Sequence, residues 1–228
     1  MMQSVAADRG ALVIVSSPSG AGKTTLTRRL LREFPQLEFS VSYTTRPQRT
    51  GEVNGRDYWF VTPEVFHEMV ERREFAEHAL VHKNLYGTAQ APIETALSAG
   101  RDVIFDVDWQ GGEALSERWP RDSLKIFILP PDLASLEKRL RQRATDAPEV
   151  IETRLRKARE ELEHFGEYQH LIVNDDIDRA YDLMRSIYLT RRYGVVDRPD
   201  VSYPLADLAK RVDANRDSDA HARKLVGR

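Results

Sequence analysis

The residues best suited to chemistry begin with Ser17-Pro18-Ser19-Gly20-Ala21-Gly22-Lys23-Thr24, set between an apolar run at 11–16 and an amphipathic run that follows. This is the setting a phosphate-binding loop requires. Glycines at 20 and 22 let backbone N–H groups turn inward and approach phosphate oxygens closely. A helix starting near Lys23 adds its positive end. The Lys23 ammonium can reach β- and γ-phosphates, and the Thr24 hydroxyl can ligate Mg²⁺. The usual pattern has glycine where this chain has Ser17.

A second basic cluster is Arg46-Pro47-Gln48-Arg49, in a loop with Ser42, Thr44 and Thr45. Paired forked guanidiniums beside hydroxyls suit a phosphate oxyanion. Asp106 and Asp108 end an apolar run at 102–108. Ligands of parallel sheets lie beyond such strand ends. Alternation puts both carboxylates on one side, with Val107 opposite; a helix cap or a solvated loop is the plainer reading. Two arginine-rich pieces, Arg139 to Arg143 and Arg154 to Lys157, read by themselves as solvated helix faces. His78 and His82 lie four apart beside Glu77, but that stretch is strand-like and has no third ligand in view, so no zinc site is expected. Trp59 and Trp109 are expected to pack rather than to bind.

The elements that must position these groups alternate. Runs at 11–16, 102–108, 124–129 and 170–173 read as buried strands, and 90–99, 111–118, 132–142, 148–165 and 177–192 as helices. Such alternation predicts an α/β fold with a parallel sheet and helices on both faces, three layers in all. Residues 39–88 break the rhythm with short strands, turn signals at Gly51 and Asn54-Gly55, and one short helix near 63–72, which predicts a small β-rich insertion. Residues 193–228 carry mixed charge and few large apolar groups. One short helix at 205–212 is expected there, within a charged, flexible tail.

Composition narrows the classes. The chain has 228 residues, 34 basic against 36 acidic, and 41% hydrophobic. That supports a core and excludes wholesale disorder. Net charge of −2 gives no long-range attraction for nucleic acid, which is not expected as a partner. Cysteine is missing, so disulfides, thiolate metal sites and thiol nucleophiles are excluded. No run is long enough to span a bilayer, and residues 1–10 lack the pattern of a secretion signal, so a cytoplasmic protein without a membrane partner is expected. Monomer and homo-oligomer both stay open.

In order along the chain stand SGAGKTT, SVSYTTRPQRTGEVNGRDYWF, FAEHA, LYGT, DVDWQG and VNDD. Together they resemble guanylate kinases of the nucleoside monophosphate kinase family, over about residues 10–192. The resemblance implies a P-loop NTPase-type core (10–38, 89–138 and 159–192), a GMP-binding region (39–88) and a helical lid (139–158). It implies Mg²⁺-dependent transfer of the ATP γ-phosphate to GMP, with ATP and GMP as substrates. By resemblance, Ser17, Pro18, Ser19, Gly20, Ala21, Gly22, Lys23, Thr24 and Thr25 hold ATP, with Asn174 near the adenine. Arg46 and Arg49 hold the GMP phosphate with Tyr58 and Tyr86. Glu77, Ser42, Thr88 and Asp108 face the guanine. An acceptor-only carboxylate at 77 suits the adjacent N–H donors of guanine, which adenine lacks. Lys23, Arg46, Arg139, Arg143 and Arg154 supply the cationic groups of catalysis, Thr24 binds the metal, and Asp106 reaches it through water. The lid departs from the family's pattern at Ala144 and carries Pro148 near its tip.

Two rivals are weighed against this. A related kinase acting on a sugar phosphate such as ribose 1,5-bisphosphate would not need Glu77, Ser42 and Asp108. A scaffold module that binds phosphopeptides through Arg46, Arg49 and Tyr58 would not need an intact Gly22-Lys23-Thr24.

Overall fold

In a computed structural model, residues 9–81, 83–143, 148–194, 205–214 and 218–227 are described. At the centre lies β1 (Leu12–Ser16), every residue of it buried. β7 (Val103–Asp106) and β8 (Ser123–Leu129) flank it. β2 (Glu38–Phe39) lies outside β7, and β9 (His170–Val173) outside β8, all parallel. Continuous apolar composition is what a strand covered on both faces needs.

Side-chain alternation along β1 divides the core. Val13 and Val15 face one layer, with Leu26 and Leu30 of α1 (Lys23–Glu33), Met184 and Ile187 of α7 (Ile177–Tyr193), and Leu208 of α8 (Leu205–Ala214). Leu12 and Ile14 face the other, with Ile93 and Leu97 of α3 (Gln90–Ser98) and Leu115 of α4 (Trp109–Arg118). Burial of each such side chain is worth about 1.5–3 kcal/mol before entropy is counted. This is the three-layer parallel α/β core that the alternation predicts.

The irregular stretch forms a second sheet in the order β4 (Trp59–Phe60), β3 (Tyr43–Thr44), β6 (Asn84–Ala89), β5 (Phe75–Val81). The short helix α2 (Pro63–Glu71) covers it. Thr62 caps that helix by accepting from Val65 N, and Phe66 and Met69 pack against Phe75. Cross-strand pairing sets Glu77 beside Thr88.

α5 (Leu133–Arg143) and α6 (Pro148–Leu162) pair through Leu136, Leu140 and Ala158. A 3-10 turn (Glu163–Glu167) follows α6. Ala144 and His82 lie outside the described residues.

In the stretch expected as a flexible tail, the described residues form more structure than the one short helix foreseen. Both α8 and α9 (Ser218–Leu225) pack on the body. Leu208 is 3% exposed in the main core, and Ala222 is buried beside Phe127 and Leu129. His221 Nε2 lies 2.9 Å from the Pro130 carbonyl oxygen. Leu208 and Val212, one turn apart, carry the contact of α8 with the core. Two apolar positions on a short charged helix are a faint sequence signal, and their value depends on what they meet. Among the described residues no helix is long and apolar enough to cross a membrane.

Candidate active site

The phosphate loop leaves β1 and enters α1 at Gly22, whose φ of 103° is open to glycine alone at low cost. A Cβ there would also stand 2.2 Å from Asn174 Nδ2. The Lys23 ammonium pairs with Asp106 Oδ1 at 2.7 Å and donates to the Val107 carbonyl at 2.8 Å. Thr24 Oγ1 donates to Asp106 Oδ2 at 3.3 Å. Strand β7 thus delivers one carboxylate to both chemical residues of the loop. Thr25 lies exposed in the first turn of α1. Together 17–20, Gly22, Lys23 and Thr24 line a cavity of about 260 Å³.

A hydroxyl and a carboxylate are hard oxygen donors of the kind Mg²⁺ selects. Among the described residues no group of three or more His, Cys, Asp or Glu could cage an ion. Thr24 and Asp106 therefore fit an ion that keeps most of its shell in phosphate and water, and fit poorly any ion needing a full protein cage.

Asn174 packs against the phosphate loop. It is 4% exposed, and its amide donates to the Ala21 carbonyl at 2.6 Å. The side chain is thereby tied to the backbone of the phosphate loop. Arg139 on α5 approaches the same backbone, with its guanidinium 3.4–3.5 Å from the carbonyls of Gly20, Ala21 and Asn174. Arg154 lies exposed on α6. Arg143 closes α5, and its side chain is outside the described set.

Asp108 lies just past the end of β7. β7 ends at Asp106, so strand alternation no longer aims the residue at 108. Its Oδ1 accepts from Gly111 N at 2.9 Å and caps α4. The cap is its observed contact, and its charge still reaches the Glu77 carboxyl. Trp109, the first residue of α4, stacks on His164.

A larger cavity of about 760 Å³ lies between α1 and the small sheet, with Thr24, Arg28, Ser42, Glu52, Tyr58 and Asp106 on its wall. Arg46 is placed by Thr44, whose Oγ1 accepts from Arg46 N at 3.1 Å. Its guanidinium, with the side chain 11% exposed, grips both oxygens of Glu52 at 2.7 and 3.1 Å. It also lies over the rings of Tyr58 and Phe60. Tyr86 meets Tyr58 edge-on at 5.9 Å. Arg49 gives its backbone N–H to Glu52 Oε2 at 2.8 Å. Sequence reasoning missed Glu52. The signal was an acid three residues past a pair of arginines, and only the folded loop turns it back onto them. The Arg46 guanidinium holds the Glu52 carboxyl below the usual carboxylate range. Burial pushes the Tyr58 phenol up.

The guanine candidates meet in one chain of bonds. Thr88 Oγ1 donates to Glu77 Oε1 at 2.5 Å, and Ser42 Oγ lies 3.4 Å from Thr88 Oγ1. Burial pushes the Glu77 carboxyl up, the Asp108 charge adds to this, and the Thr88 hydrogen bond opposes it. Thr24 is on the wall of both cavities, and Asp106, its hydrogen-bond partner, is on the wall of the larger. Two anionic ligands, one in each cavity, would meet end to end there.

The sequence profile of the family described as "Guanylate kinase" matches residues 9–190. A guanylate kinase of Paramagnetospirillum magneticum is 49% identical over 184 residues, 81% of this chain and 86% of that protein. One from Rhodopseudomonas palustris is 53% identical over 179 residues, 78% and 81% of the two. The crystal structure of guanylate kinase from Anaplasma phagocytophilum superposes with a TM-score of 0.67 at 30% identity, over 89% of this chain and 95% of that one.

Proposed function

The chain belongs to the guanylate kinase family, and from that premise we propose how its cleft divides the work of moving the γ-phosphoryl group of ATP onto GMP, giving ADP and GDP. The ATP phosphates lie on the loop 17–25, with Lys23 toward the β- and γ-oxygens. The GMP phosphate lies against Arg46, Arg49, Tyr58 and Tyr86, and takes the guanidinium of Arg46 from Glu52. Glu77 accepts from the guanine N1–H and amino group, with Ser42 and Thr88 beside it. Asp108 contributes its charge from the cap of α4. Arg139, Arg143 and Arg154 converge on the transferring group when the lid closes. Thr24 would hold Mg²⁺ and Asp106 would reach it through water, and the ion would supply positive charge against the phosphate oxygens.

No covalent intermediate is needed. A phosphate oxygen of GMP attacks the γ-phosphorus in line while the bond to the bridging oxygen breaks, and that electron pair leaves with ADP. Lys23 and the arginines face charge that spreads over the transferring oxygens, and they need no reorganisation as it develops. Closure of α5 and α6 over the loop excludes water, the competing acceptor. We place this work in the cytoplasm, where both nucleotides are made and consumed.

Thr24 on the wall of both cavities, hydrogen-bonded to Asp106 in the larger, is the observation that carries this reading. A scaffold module has no use for Lys23 and Thr24 converging on Asp106, and a sugar-phosphate kinase has none for Glu77 on Thr88. An ADP-release assay with ATP and Mg²⁺ would offer GMP, AMP, UMP, CMP and ribose 1,5-bisphosphate in parallel. Turnover is expected with GMP alone and is lost when the ion is chelated. Turnover with the sugar phosphate, or with none while GMP still binds, would overturn the reading.

A further inference from the structure

One carboxylate in the phosphate cavity has no part in the scheme above. Glu161 belongs to α6, one turn past Ala158 and beside Leu162, both buried. That spacing turns its side chain inward, toward the phosphate loop. Its Oε2 accepts from Ser19 N at 3.2 Å, and it lines the cavity of about 260 Å³ with the loop residues and Asp108. A loop amide of this kind is a donor shaped for a phosphate oxygen. Burial pushes the Glu161 carboxyl up, while the Ser19 N–H, Lys23 on α1 and Lys157 on α6 favour its charge and Asp108 opposes it. The group is thus an anion held, at some cost, where another anion is meant to lie.

We propose that Glu161 is an internal stand-in for phosphate: in the absence of the donor it occupies the Ser19 N–H, and the triphosphate of the donor displaces it, so that donor binding frees α6 to reseat with Arg154 on the bound phosphates. This rests on the reading that the loop receives ATP. A phosphate oxygen and the carboxylate cannot share the Ser19 donor, and like charges cannot share the cavity cheaply. The energy that frees the Ser19 donor is therefore drawn from ATP binding. Arg154 lies seven residues before Glu161, two turns along the same face, so a helix released at 161 moves the arginine as well. Lid movement is in this way tied to occupancy of the loop.

Calorimetry on the full chain, with ATP, inorganic pyrophosphate and GMP titrated separately, tests this. Glu161→Gln keeps the shape and removes the charge, and Glu161→Ala removes both. Both variants are expected to bind ATP and pyrophosphate about five- to tenfold more tightly than the parent, at the low end of the coupling usual between linked events, with GMP affinity unchanged. A side chain with a merely structural role would leave donor affinity the same or weaken it. Unchanged or weaker ATP binding in both variants, with GMP binding intact, overturns the proposal alone. Failure of the parent protein to bind either ATP or pyrophosphate overturns it together with the reading of the loop.

Discussion

Replacing Glu77 with Gln separates two consequences of one buried charge. In the ligand-free protein the carboxylate sits on β5 with Oε1 engaged by Thr88 at 2.5 Å, and burial raises its pKa. Thr88 is 1% exposed, so the pair has little water to lean on. Guanine presents two adjacent donors, and a carboxylate offers only acceptors. Gln keeps one acceptor and turns an amino group toward a donor. Loss of one charge-assisted hydrogen bond costs about 1.5–3 kcal/mol, roughly 10- to 150-fold in GMP affinity. Stability should move the other way. Because the folded pKa lies above the unfolded one, the native state binds more protons than the unfolded state between the two values. Stability therefore falls as pH rises through that window, and at neutral pH the ionised carboxylate is a net cost. A neutral Gln that still accepts from Thr88 removes this cost. Ligand-free Glu77→Gln is expected to melt at a higher temperature than the parent at pH 7.5, with the gap closing below the ordinary carboxylate pKa. Direct titration of GMP and melting curves at several pH values read both quantities. Unchanged GMP affinity would show that Glu77 does not meet the base, and a lower melting temperature at pH 7.5 would show that its burial is not a cost.

Lys23→Ala should lower kcat by about 10²- to 10³-fold, the usual loss for one group that meets transition-state charge, and leave GMP binding in place; near-parental kcat removes Lys23 from the mechanism. Leu208→Ala should lower the free energy of unfolding by about 2–5 kcal/mol in denaturant titration, with kcat unchanged at a temperature where the variant is folded. A loss below about 1 kcal/mol would mean that α8 does not belong to the core. At Gly87 an added Cβ would stand 2.9 Å from Phe75 and 3.0 Å from Phe66. Gly87→Ala should therefore cost about 1–3 kcal/mol and raise the GMP KM through its neighbours Tyr86 and Thr88; a variant with both unchanged would refute that packing.

Much of the architecture could be read from local pattern. The apolar run at β1 and the glycine-rich turn into α1 specify a strand, a loop and a helix within about twenty residues, and each signal is local. Loop residues 17–25 could be named in this way because a loop of this kind offers phosphate its backbone and side chains close in sequence. Lys23 and Asp106 could each be marked as chemical, but their ion pair joins residues far apart in the chain and depends on β1 lying beside β7.

Where sequence reading stopped short, competition between partners was decided in three dimensions. Strand alternation put Asp108 on the side of Asp106, yet the strand stops at Asp106 and the carboxylate of Asp108 caps α4. Asn174 fills the space that Gly22 leaves open and donates to the Ala21 carbonyl, contacts that its place in the sequence does not show. Glu52 and Glu161 look like two acids among many, since an acid's role depends on which donors face it and how much water remains. Leu208, on a short charged helix, becomes a core residue because α7 presents an apolar face to it.

The amino-acid sequence by itself determined the family, the parallel α/β core, the phosphate loop and the set of polar residues from which the site is built, because these rest on spacing, periodicity and local backbone preference. Only the tertiary structure decided which carboxylate pairs with which cation, which side chains lie behind the loop rather than in front of it, and that the last helices close on the core. Those choices depend on distance, burial and competition among groups that the chain brings together only once folded.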